Sequence, residues 1–301
     1  MKILNLGSMN LDFVYTLDHI VRPGETEASH EMNTFLGGKG MNQSVALAKA
    51  GAQVWQGGMI GTDGQPFLDA CRQYGVHSEL IHTVEGKSGH AIIQLDKNGQ
   101  NSILLYGGAN QMLTQEYVDR VLEQFSAGDI LLLQNEVNLL PYIVDRAYER
   151  GMQIALNPSP FNEKLADVDF NKISIFLLNE IEGEQITGKT EPEEILSAML
   201  ERHPAAKIVL TLGAEGAAYA DSTQKHYQPA YPVDVVDTTA AGDTFTGYFI
   251  AGLIEGMDIP RILQMSAVAS SITVSREGAV PSIPEREEVM KKLAEIETNF
   301  A

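Results

Sequence analysis

Apolar, β-branched runs about as long as a strand alternate along this chain with amphipathic stretches of helical period. The strand-like runs are Lys2–Gly7, Gln53–Ile60, Asp129–Leu133, Gln153–Leu156, Ile173–Leu178 and Lys207–Leu212. The helical stretches between them are Gly40–Ala50, Gly64–Tyr74, Gln115–Phe125, Pro141–Arg150 and Glu191–Arg202. The alternation predicts an α/β fold, a three-layer sandwich in which helices flank a mostly parallel central sheet. In such sheets ligands bind at the carboxyl ends of the strands.

Two segments, residues 11–36 and 88–106, interrupt the alternation. Both contain short strand-like runs joined by turns, and Asn98-Gly99 is a typical hairpin turn. We expect the two segments to form a small β-sheet lid, inserted in a single domain that spans residues 1–301. After Thr238 the pattern is mainly helical, over Ala241–Leu253, Ile259–Val274 and Glu285–Asn299.

Composition disfavours several classes of function. The formal net charge of −19 argues against a nucleic acid or an anionic membrane as the partner. No run approaches the roughly 20 apolar residues of a membrane-spanning helix, and the first residues do not resemble a signal peptide. The single cysteine, Cys71, permits no internal disulfide and fits a reducing compartment, so we expect a cytoplasmic protein.

The segment Asp237-Thr238-Thr239-Ala240-Ala241-Gly242-Asp243 is the strongest signal for chemistry. It follows Val233–Val236, which we expect to be a strand, and it precedes an apolar helix. The small residues Ala240–Gly242 allow the unpaired N–H groups of a helix start to approach an anion such as a phosphoryl group. Asp243 is then placed to accept the proton of a hydroxyl nucleophile. The alternative is an ordinary N-cap aspartate after a tight turn.

Two polar motifs near the beginning of the chain suit a sugar. Leu36-Gly37-Gly38-Lys39-Gly40-Met41-Asn42-Gln43 opens a helix but lacks the Walker A spacing. Its glycines beside Lys39 and Asn42 allow donors and acceptors to approach hydroxyl groups closely. In Asn10-Leu11-Asp12, the i, i+2 spacing can point both polar side chains to one side of an extended segment. The alternatives are a plain glycine-rich turn and an Asx turn.

Two further motifs follow strand-like runs. In Asn179-Glu180-Ile181-Glu182, an amide and a carboxylate share one helix face and suit Mg²⁺ held through water beside phosphates. The alternative is a capped helix start. Thr211-Leu212-Gly213-Ala214-Glu215-Gly216 would pass under a nucleotide, although a hairpin is the stronger interpretation. No zinc-type histidine spacing, Gly-x-Ser-x-Gly elbow or dinucleotide fingerprint is present.

Taken together and in this order, the motifs resemble the ribokinase family. Its two signatures match Gly37-Gly38-Lys39-Gly40-x-Asn42-Gln43 and Asp237-Thr238-x-Ala240-Ala241-Gly242-Asp243-Thr244-Phe245. Four other segments match in the expected order: Pro23–Thr26, Gly108–Asn110, Leu156–Pro160 and Arg276–Pro284. The resemblance therefore spans nearly the whole chain, and the joint occurrence outweighs the alternative interpretation of each single motif.

The resemblance implies an ATP-dependent sugar kinase with Asp243 as the base and the amides of Ala240, Ala241 and Gly242 as an anion hole. It implies sugar contacts at Asn10, Asp12, Gly38, Lys39, Asn42, Ala91, Ile93, Glu136 and Asp243. It implies nucleotide contacts at Asn179, Glu182, Thr211, Gly213, Gly216 and Gly242, with Mg²⁺ held through water at Glu182. For a monovalent cation, normally K⁺, it implies Asp237, Thr239, Thr273, Arg276, Gly278 and Ser282. Family members often form homodimers through their lid sheets.

Three positions depart from the family pattern. Met41 stands where alanine is commoner, so its flexible thioether either reshapes the sugar pocket or packs into the helix interface. Thr239 and Thr273 replace apolar residues, which matters little if the cation is bound by main-chain carbonyls.

The match is best to the family members that phosphorylate ribose. We therefore expect transfer from MgATP to the 5-hydroxyl of ribose or a similar pentose. A kinase for deoxyribose, a ketohexose or a nucleoside remains open, as does a non-catalytic sugar-binding regulator. The polar set of Asn10, Asp12, Lys39 and Glu136 favours a small free sugar over a nucleoside, whose base needs an apolar slot.

Overall fold

A computed structural model describes residues 1–300, with only the backbone for residues 299 and 300. The strands are β1 (Ile3–Leu6), β2 (Asn10–Leu17), β3 (Glu31–Gly37), β4 (Val54–Ile60), β5 (His77–Thr83), β6 (Gly89–Asp96), β7 (Asn101–Tyr106), β8 (Ile130–Gln134), β9 (Gln153–Asn157), β10 (Ile175–Asn179), β11 (Lys207–Thr211), β12 (Gly216–Ala220) and β13 (Lys225–Pro229). The helices are α1 (Lys39–Lys49), α2 (Gln65–Tyr74), α3 (Gln115–Leu122), α4 (Leu140–Glu149), α5 (Glu180–Thr187), α6 (Pro192–Arg202), α7 (Ala241–Ile254), α8 (Ile259–Val274) and α9 (Arg286–Phe300).

The large sheet has the order β13-β12-β11-β10-β9-β8-β1-β4-β5 within the described residues. Neighbouring strands from β11 to β5 run parallel, and β12 and β13 add an antiparallel edge. The short, fully buried runs of β1 and β8 are typical of parallel strands covered on both faces. Because the parallel strands all end at one edge, the loops that follow them converge there.

Successive side chains of one strand pack into two different cores. In β8, Ile130 and Leu132 join the core formed with α1, α2, α7, α8 and α9. Leu131 and Leu133 join the core formed with α3, α4, α5 and α6. This alternation follows from the two-residue period of a strand, and it confirms the predicted three-layer sandwich.

A second, small sheet has the order β3-β2-β6-β7. Strand β2 runs parallel to β6 and antiparallel to β3, and β7 is antiparallel to β6. The turn between β6 and β7 is the predicted hairpin: the Asp96 carboxylate accepts hydrogen bonds from the backbone of Asn98 and Gln100, and Gly99 has a φ of 78°. The small sheet expected from residues 11–36 and 88–106 is therefore present.

The prediction of a strand at Val233–Val236 is wrong. This segment has no regular structure, and Val233, Val235 and Val236 are exposed. The backbone N–H of Val236 donates to the carbonyl of Val274 instead of to a neighbouring strand. Strand β13 ends at Pro229, and Pro232 offers no N–H for a ladder, so β-branched composition alone cannot build a strand here.

No described helix combines the length and the apolar character that crossing a membrane requires.

Candidate active site

A cavity of about 930 Å³ lies between the carboxyl edge of the large sheet and one face of the small sheet. Most residues singled out from the sequence line it, although they come from elements far apart along the chain. These are Asn10, Asp12, Gly38, Lys39, Asn42, Ala91, Ile93, Glu136, Asn179, Glu182, Thr211, Asp237, Thr239, Ala240, Ala241, Gly242, Asp243 and Gly278. Gly213, Gly216, Thr273, Arg276 and Ser282 do not line it.

Asn10 and Asp12 are the first and third residues of β2, which begins four residues after the last residue of β1, and both line the cavity. The Asn10 Oδ1 accepts a hydrogen bond of 2.7 Å from the side chain of Asn110, which is itself buried. That bond settles which way the Asn10 amide points and leaves its NH₂ group for a ligand. Asp12 packs over Gly37, where a side chain would collide with its carboxylate. Burial, followed by the nearby Glu136, raises the pKa of Asp12 from 3.8 to about 7.

Lys39 opens α1 among three carboxylates that line the same cavity. Burial disfavours its charged form, but the negative charges of Asp243, Glu136 and Glu182 outweigh burial and raise the Lys39 pKa. Burial also raises the pKa of Glu136, against the lowering effect of Lys39. One oxygen of Glu136 accepts hydrogen bonds from the Ser8 hydroxyl and, at 3.0 Å, from the Lys39 backbone N–H. This end of the cavity is thus a polar cluster in which two hydrogen bonds hold the Glu136 carboxylate.

Asp243 lies in the first turn of α7, 7% exposed, with both carboxylate oxygens held by amides of α1. The Asn42 Nδ2 donates to Oδ2 at 2.9 Å, and the Gln43 Nε2 donates to Oδ1 at 2.8 Å. Asn42 also lines the cavity, whereas Gln43 is fully buried behind it. Asp243 is therefore an oriented carboxylate at the cavity surface, suited to accept a proton from a hydroxyl group. It does not cap its own helix, since α7 has no side-chain cap.

The start of α7 is suited to an anion. Its N-cap residue, Ala240, has a φ of 61°, the left-handed conformation that a non-glycine residue rarely adopts. The Ala241 N–H donates to the Thr238 carbonyl at 3.3 Å, whereas the N–H groups of Gly242 and Asp243 have no acceptor within the helix. Around Gly242, a Cβ atom would meet nothing within 4 Å, so there is open space directly beside these groups. An apolar helix start with that space in front of it can hold a phosphoryl group.

Asn179 and Glu182 form a capping box at the start of α5. The Asn179 side chain accepts from the Glu182 N–H at 2.8 Å, and the Glu182 carboxylate accepts from the Asn179 N–H at 3.0 Å. The predicted capped helix start is confirmed, and both side chains also line the cavity. Among the described residues, His, Cys, Asp and Glu form no group of three or more that could hold a metal ion. A Mg²⁺ ion here would therefore need oxygens from the ligand as well as from Glu182.

The predicted hairpin after Thr211 is confirmed, because β11 and β12 pair antiparallel across Gly213–Glu215. Gly216 has a φ of 122°, and a Cβ there would lie 2.1 Å from the Gln228 carbonyl oxygen. The turn geometry and the close approach of β13 thus require glycine at this position. Gly213 and Gly216 lie in the hairpin turn outside the cavity lining, so their nucleotide contacts stay a prediction.

The residues assigned to a monovalent cation lie on the loop before α7, at the end of α8 and on the segment that follows α8, and hydrogen bonds join these parts. The Asp237 carboxylate accepts from the N–H and hydroxyl of Thr239 and, at 3.0 Å, from the Gly278 N–H. These bonds outweigh the effect of burial and lower the Asp237 pKa. The side chains of the other three assigned residues have other partners: Thr273 bonds to Thr244 and the Ala269 carbonyl, Arg276 to Glu288, and Ser282 to the Ala279 carbonyl.

Met41 is fully buried in the hydrophobic core and does not line the cavity. Of the two positions considered for its thioether, the helix interface is therefore the one observed. Cys71 is also buried, and burial raises its thiol pKa to about 12, which makes it unreactive.

Several cavity residues were not predicted. Asn157 lines it from the end of β9, Ser159 from the loop that follows, and Phe245 and Thr246 from α7. Asn110 does not line it but orients Asn10. Asn110, Asn157, Ser159 and Phe245 belong to matched family segments, so the signal was present, but only the folded geometry assigns each a place.

Comparison with known proteins identifies the family of this chain. Residues 1–286 match the model of the pfkB family carbohydrate kinases. This chain belongs to that family. Enzymes of the family transfer a phosphoryl group to a sugar hydroxyl, so this chain is a carbohydrate kinase.

Individual members of the pfkB family are similar to this chain over nearly its whole length. A ribokinase of Haemophilus influenzae is 34% identical over 96% of this chain and 97% of its own. A solved ribokinase of Cryptococcus neoformans in complex with ADP has a TM-score of 0.85 and 32% identity, covering 97% of this chain and 99% of its own. An Arabidopsis thaliana ribokinase complexed with ribose and ATP has a TM-score of 0.83 and 31% identity, covering 97% of this chain and 98% of its own.

Proposed function

We propose that this carbohydrate kinase phosphorylates D-ribose at its primary 5-hydroxyl, with MgATP as the donor. One observation carries the proposal: the oriented carboxylate of Asp243 faces the same cavity as Asn10 and Asp12, beside the open start of α7. That arrangement puts a base, a polyol-binding cluster and an anion site in one enclosure. The similarity to ribokinases at 34% identity supports ribose as the acceptor.

In this mechanism, Asn10, Asp12, Lys39, Asn42 and Glu136 hold the sugar hydroxyls. Ala91 and Ile93 of the small sheet pack on its carbon face. Side chains that both donate and accept suit a polyol, because each hydroxyl needs a donor and an acceptor. The cluster holds the sugar so that its 5-hydroxyl lies close to Asp243. Because the reacting groups are already positioned, less entropy is lost in the reaction step than in a reaction between free molecules.

Asp243 accepts the proton as the 5-oxygen attacks the terminal phosphorus of ATP. The new bond joins that oxygen to phosphorus, the bond from phosphorus to the β-phosphate oxygen breaks, and ADP leaves. Charge on the transferring group is stabilised by the N–H groups at Ala240, Ala241 and Gly242, which lie at the positive end of the α7 dipole.

We assign the nucleotide to the cavity end lined by Asn179, Glu182 and Thr211. Val235 and Val236 border the cavity with exposed apolar side chains, which suit the faces of a base. Glu182 would hold Mg²⁺ through water; when bound, the ion neutralises charge on the phosphates. Asn179 orients Glu182 through their capping box.

We also propose K⁺ activation at the loops joined by Asp237 and Gly278. A carboxylate together with the main-chain carbonyls of Thr239, Thr273, Arg276, Gly278 and Ser282 is an oxygen donor set of the kind that hard cations prefer. Asp237 lies six residues before Asp243 on the loop that leads into α7. A cation there would steady the turn that forms the anion hole.

The small sheet is proposed to act as a lid on a single domain, excluding water, which competes with ribose as the phosphoryl acceptor. Its outer face exposes Ile92, Leu104 and Tyr106. Exposed apolar residues on and beside an edge strand favour pairing with a second copy, so we propose a homodimer formed through the lids. The one buried, reduced cysteine is consistent with a cytoplasmic location.

Other acceptors and a non-catalytic role remain as alternatives. A deoxyribokinase of Salmonella typhi is 29% identical over 98% of this chain, which makes deoxyribose the second candidate. A ketohexose and a nucleoside are less favoured, the nucleoside because the sugar end is so polar. A sugar-binding regulator would have no use for an oriented Asp243 next to an anion site.

An ADP-coupled assay over pentoses, hexoses and nucleosides, with and without K⁺, tests the acceptor. We expect the highest kcat/KM with ribose. A higher value with deoxyribose would reassign the substrate, and ribose binding without turnover of any acceptor would favour the regulator.

The role of Asp243 is tested by Asp243→Asn, for which we expect kcat to fall by about 10²–10⁴-fold while ribose binding persists. Asp258→Asn is the matched control, because Asp258 caps α8 outside the cavity by accepting from the Arg261 N–H. Near-normal turnover in Asp243→Asn would exclude the mechanism.

A further inference from the structure

Three neighbouring strands of the large sheet each carry one buried amide in an otherwise apolar run. They are Asn5 in β1, Gln56 in β4 and Gln134 in β8, and all three side chains are fully buried. The strands are adjacent, in the order β8-β1-β4. Burying an amide is unfavourable unless its groups are hydrogen-bonded, so these side chains should serve a specific arrangement of bonds.

Two of these amides connect the sheet to Asp243. The Gln134 Nε2 donates to the Gln43 Oε1 at 2.6 Å and to the Asn5 Oδ1 at 2.9 Å. Gln43, on α1, in turn donates to Asp243 at 2.8 Å. The Asn5 Nδ2 donates to the carbonyl of Gly40 at 2.7 Å, which ties the chain back to the start of α1. We call Gln43, Gln134 and Asn5 the amide chain.

The Asp243 carboxylate, at one end of the amide chain, determines which group donates and which accepts in each of its hydrogen bonds. An ionised carboxylate only accepts hydrogen bonds, so Gln43 must present its NH₂ group to Asp243. Its carbonyl oxygen must then accept from Gln134, whose NH₂ group also serves Asn5. The Gln134 Oε1 is left buried without a partner among the described residues. A buried acceptor without a partner lowers the stability of the fold. The orientation of Gln134 that leaves it unpaired is the one that allows Gln43 to donate to Asp243.

The amide chain lies outside the cavity. Neither Gln43 nor Gln134 nor Asn5 lines it, whereas Asn42, the other partner of Asp243, does. We propose that Gln43 is a positioning residue for Asp243, itself oriented by Gln134 and Asn5. The role rests on the proposed function of Asp243 as the base. With Asn42 on Oδ2 and Gln43 on Oδ1, the carboxylate is prevented from rotating and keeps one direction toward the incoming hydroxyl.

Variants that remove the amide but keep the side-chain length test this role. In Gln43→Met we expect kcat to fall on the order of 10- to 100-fold, as for a misplacement of about 1 Å at a reacting group. The KM values for ribose and ATP should change less than about two-fold, because no cavity contact is lost. Gln134→Met should give a smaller loss in kcat. The double variant should fall no further than Gln43→Met, because the two residues act in series.

Gln56→Met is the matched control. Gln56 is equally buried, donates to the carbonyls of Gly7 and Gly57, and reaches the amide chain only through Ser44. Its side chain makes no hydrogen bond with Asp243 or Gln43 in the described part of the chain. We expect lower stability in this variant, as in Gln43→Met, but a kcat within about two-fold of the parent enzyme.

Two results would overturn the proposal. One is an equal loss of kcat in Gln56→Met and Gln43→Met, which would mean that the effect is general loosening of the core. The other comes from a crystal structure of Gln43→Met: we expect the Asp243 carboxylate to turn away from its position beside Asn42, and an unmoved carboxylate contradicts positioning. This structure requires no turnover, so it separates a wrong positioning role from a wrong acceptor. If the parent enzyme prefers another sugar, the kinetic comparison uses that sugar.

Discussion

Asp12→Asn should make this protein more stable at pH 8 while weakening its hold on the sugar. The difference between the ordinary Asp12 pKa of 3.8 and its value of about 7 corresponds to about 4 kcal/mol. Asp12 still touches the open cavity, so solvent screening reduces the expected gain to about 2–4 kcal/mol. No hydrogen bond of its carboxylate to another described residue would be lost.

The sign follows from proton binding in the folded and unfolded states. Below about pH 4 the Asp12 carboxyl is protonated in both states, so its ionisation does not lower the free energy of unfolding. As the pH rises toward 7, the unfolded chain releases this proton while the folded protein keeps it, so the Asp12 contribution to stability falls. Above pH 7 both states are ionised and the cost is constant. Because asparagine does not titrate, the advantage of Asp12→Asn grows from pH 4 to pH 7 and then levels off.

Urea denaturation of the parent protein and Asp12→Asn at pH 5 and pH 8 measures this advantage. The gain at pH 8 should exceed the gain at pH 5 by about 2 kcal/mol. Asp167→Asn is the control for charge, since Asp167 is exposed and every lost negative charge relieves a protein of net charge −19. An equal gain at both pH values, or no gain at pH 8 beyond that of Asp167→Asn, would refute the reasoning.

Four further changes follow from the same geometry. Ribose affinity should rise between pH 6 and pH 8 by about tenfold, measured by calorimetry, because Asp12 must ionise before it accepts two hydroxyl hydrogen bonds. Gly247→Ala would bring a Cβ within 2.4 Å of the Ala46 Cβ, so we expect α7 to shift on α1 and urea denaturation to show a loss of about 1–3 kcal/mol. Glu182→Gln keeps a capping-box acceptor, so the melting temperature should hardly change while the KM for MgATP rises in initial-rate assays. Ala240→Val places a β-branched residue at a φ of 61°, and unfolding experiments should show a loss of at least about 1 kcal/mol together with a lower kcat.

The alternation of strands and helices was sufficient to predict the layers of the fold, because both periods are local. The hairpin at Asn98-Gly99 was predictable for the same reason: two residues determine its turn. The conformation of Val233–Val236 was not predictable in this way, because a strand must also pair with a neighbouring strand. The backbone of this segment donates to the end of α8 instead. Local preference indicates which conformations a segment favours, whereas pairing depends on the rest of the chain.

In the candidate site, too, local sequence predicted some features, and others depend on contacts between distant parts of the chain. Asp243, Asn10 and Asp12 were recognisable as motifs, but the raised pKa of Asp12 comes first from burial and then from Glu136, and both depend on the folded chain. The amide of Gln134 stood out only as one polar residue at the end of an apolar strand. Its bond to Gln43 joins residues that are 91 positions apart, so no spacing rule could have paired them.

The two halves of this site are held together by Asn42, which also contacts the sugar in the proposed mechanism, and by Gln43, which contacts no ligand. The start of α1 carries sugar contacts and the start of α7 carries the base, and Asn42 and Gln43 bridge the two helices through Asp243. Anchoring Gln43 through Gln134 and Asn5 therefore fixes the base relative to β8 and β1 of the large sheet, and the chain leaves β1 to enter β2 at Asn10. The ionised form of Asp12 is disfavoured in the folded protein, so this carboxylate lowers stability while it provides a hydrogen-bond acceptor for the sugar. Asp12→Asn should therefore raise stability and weaken sugar binding, whereas Gln43→Met should lower both stability and kcat, because the bonds of Gln43 serve the fold and the base together.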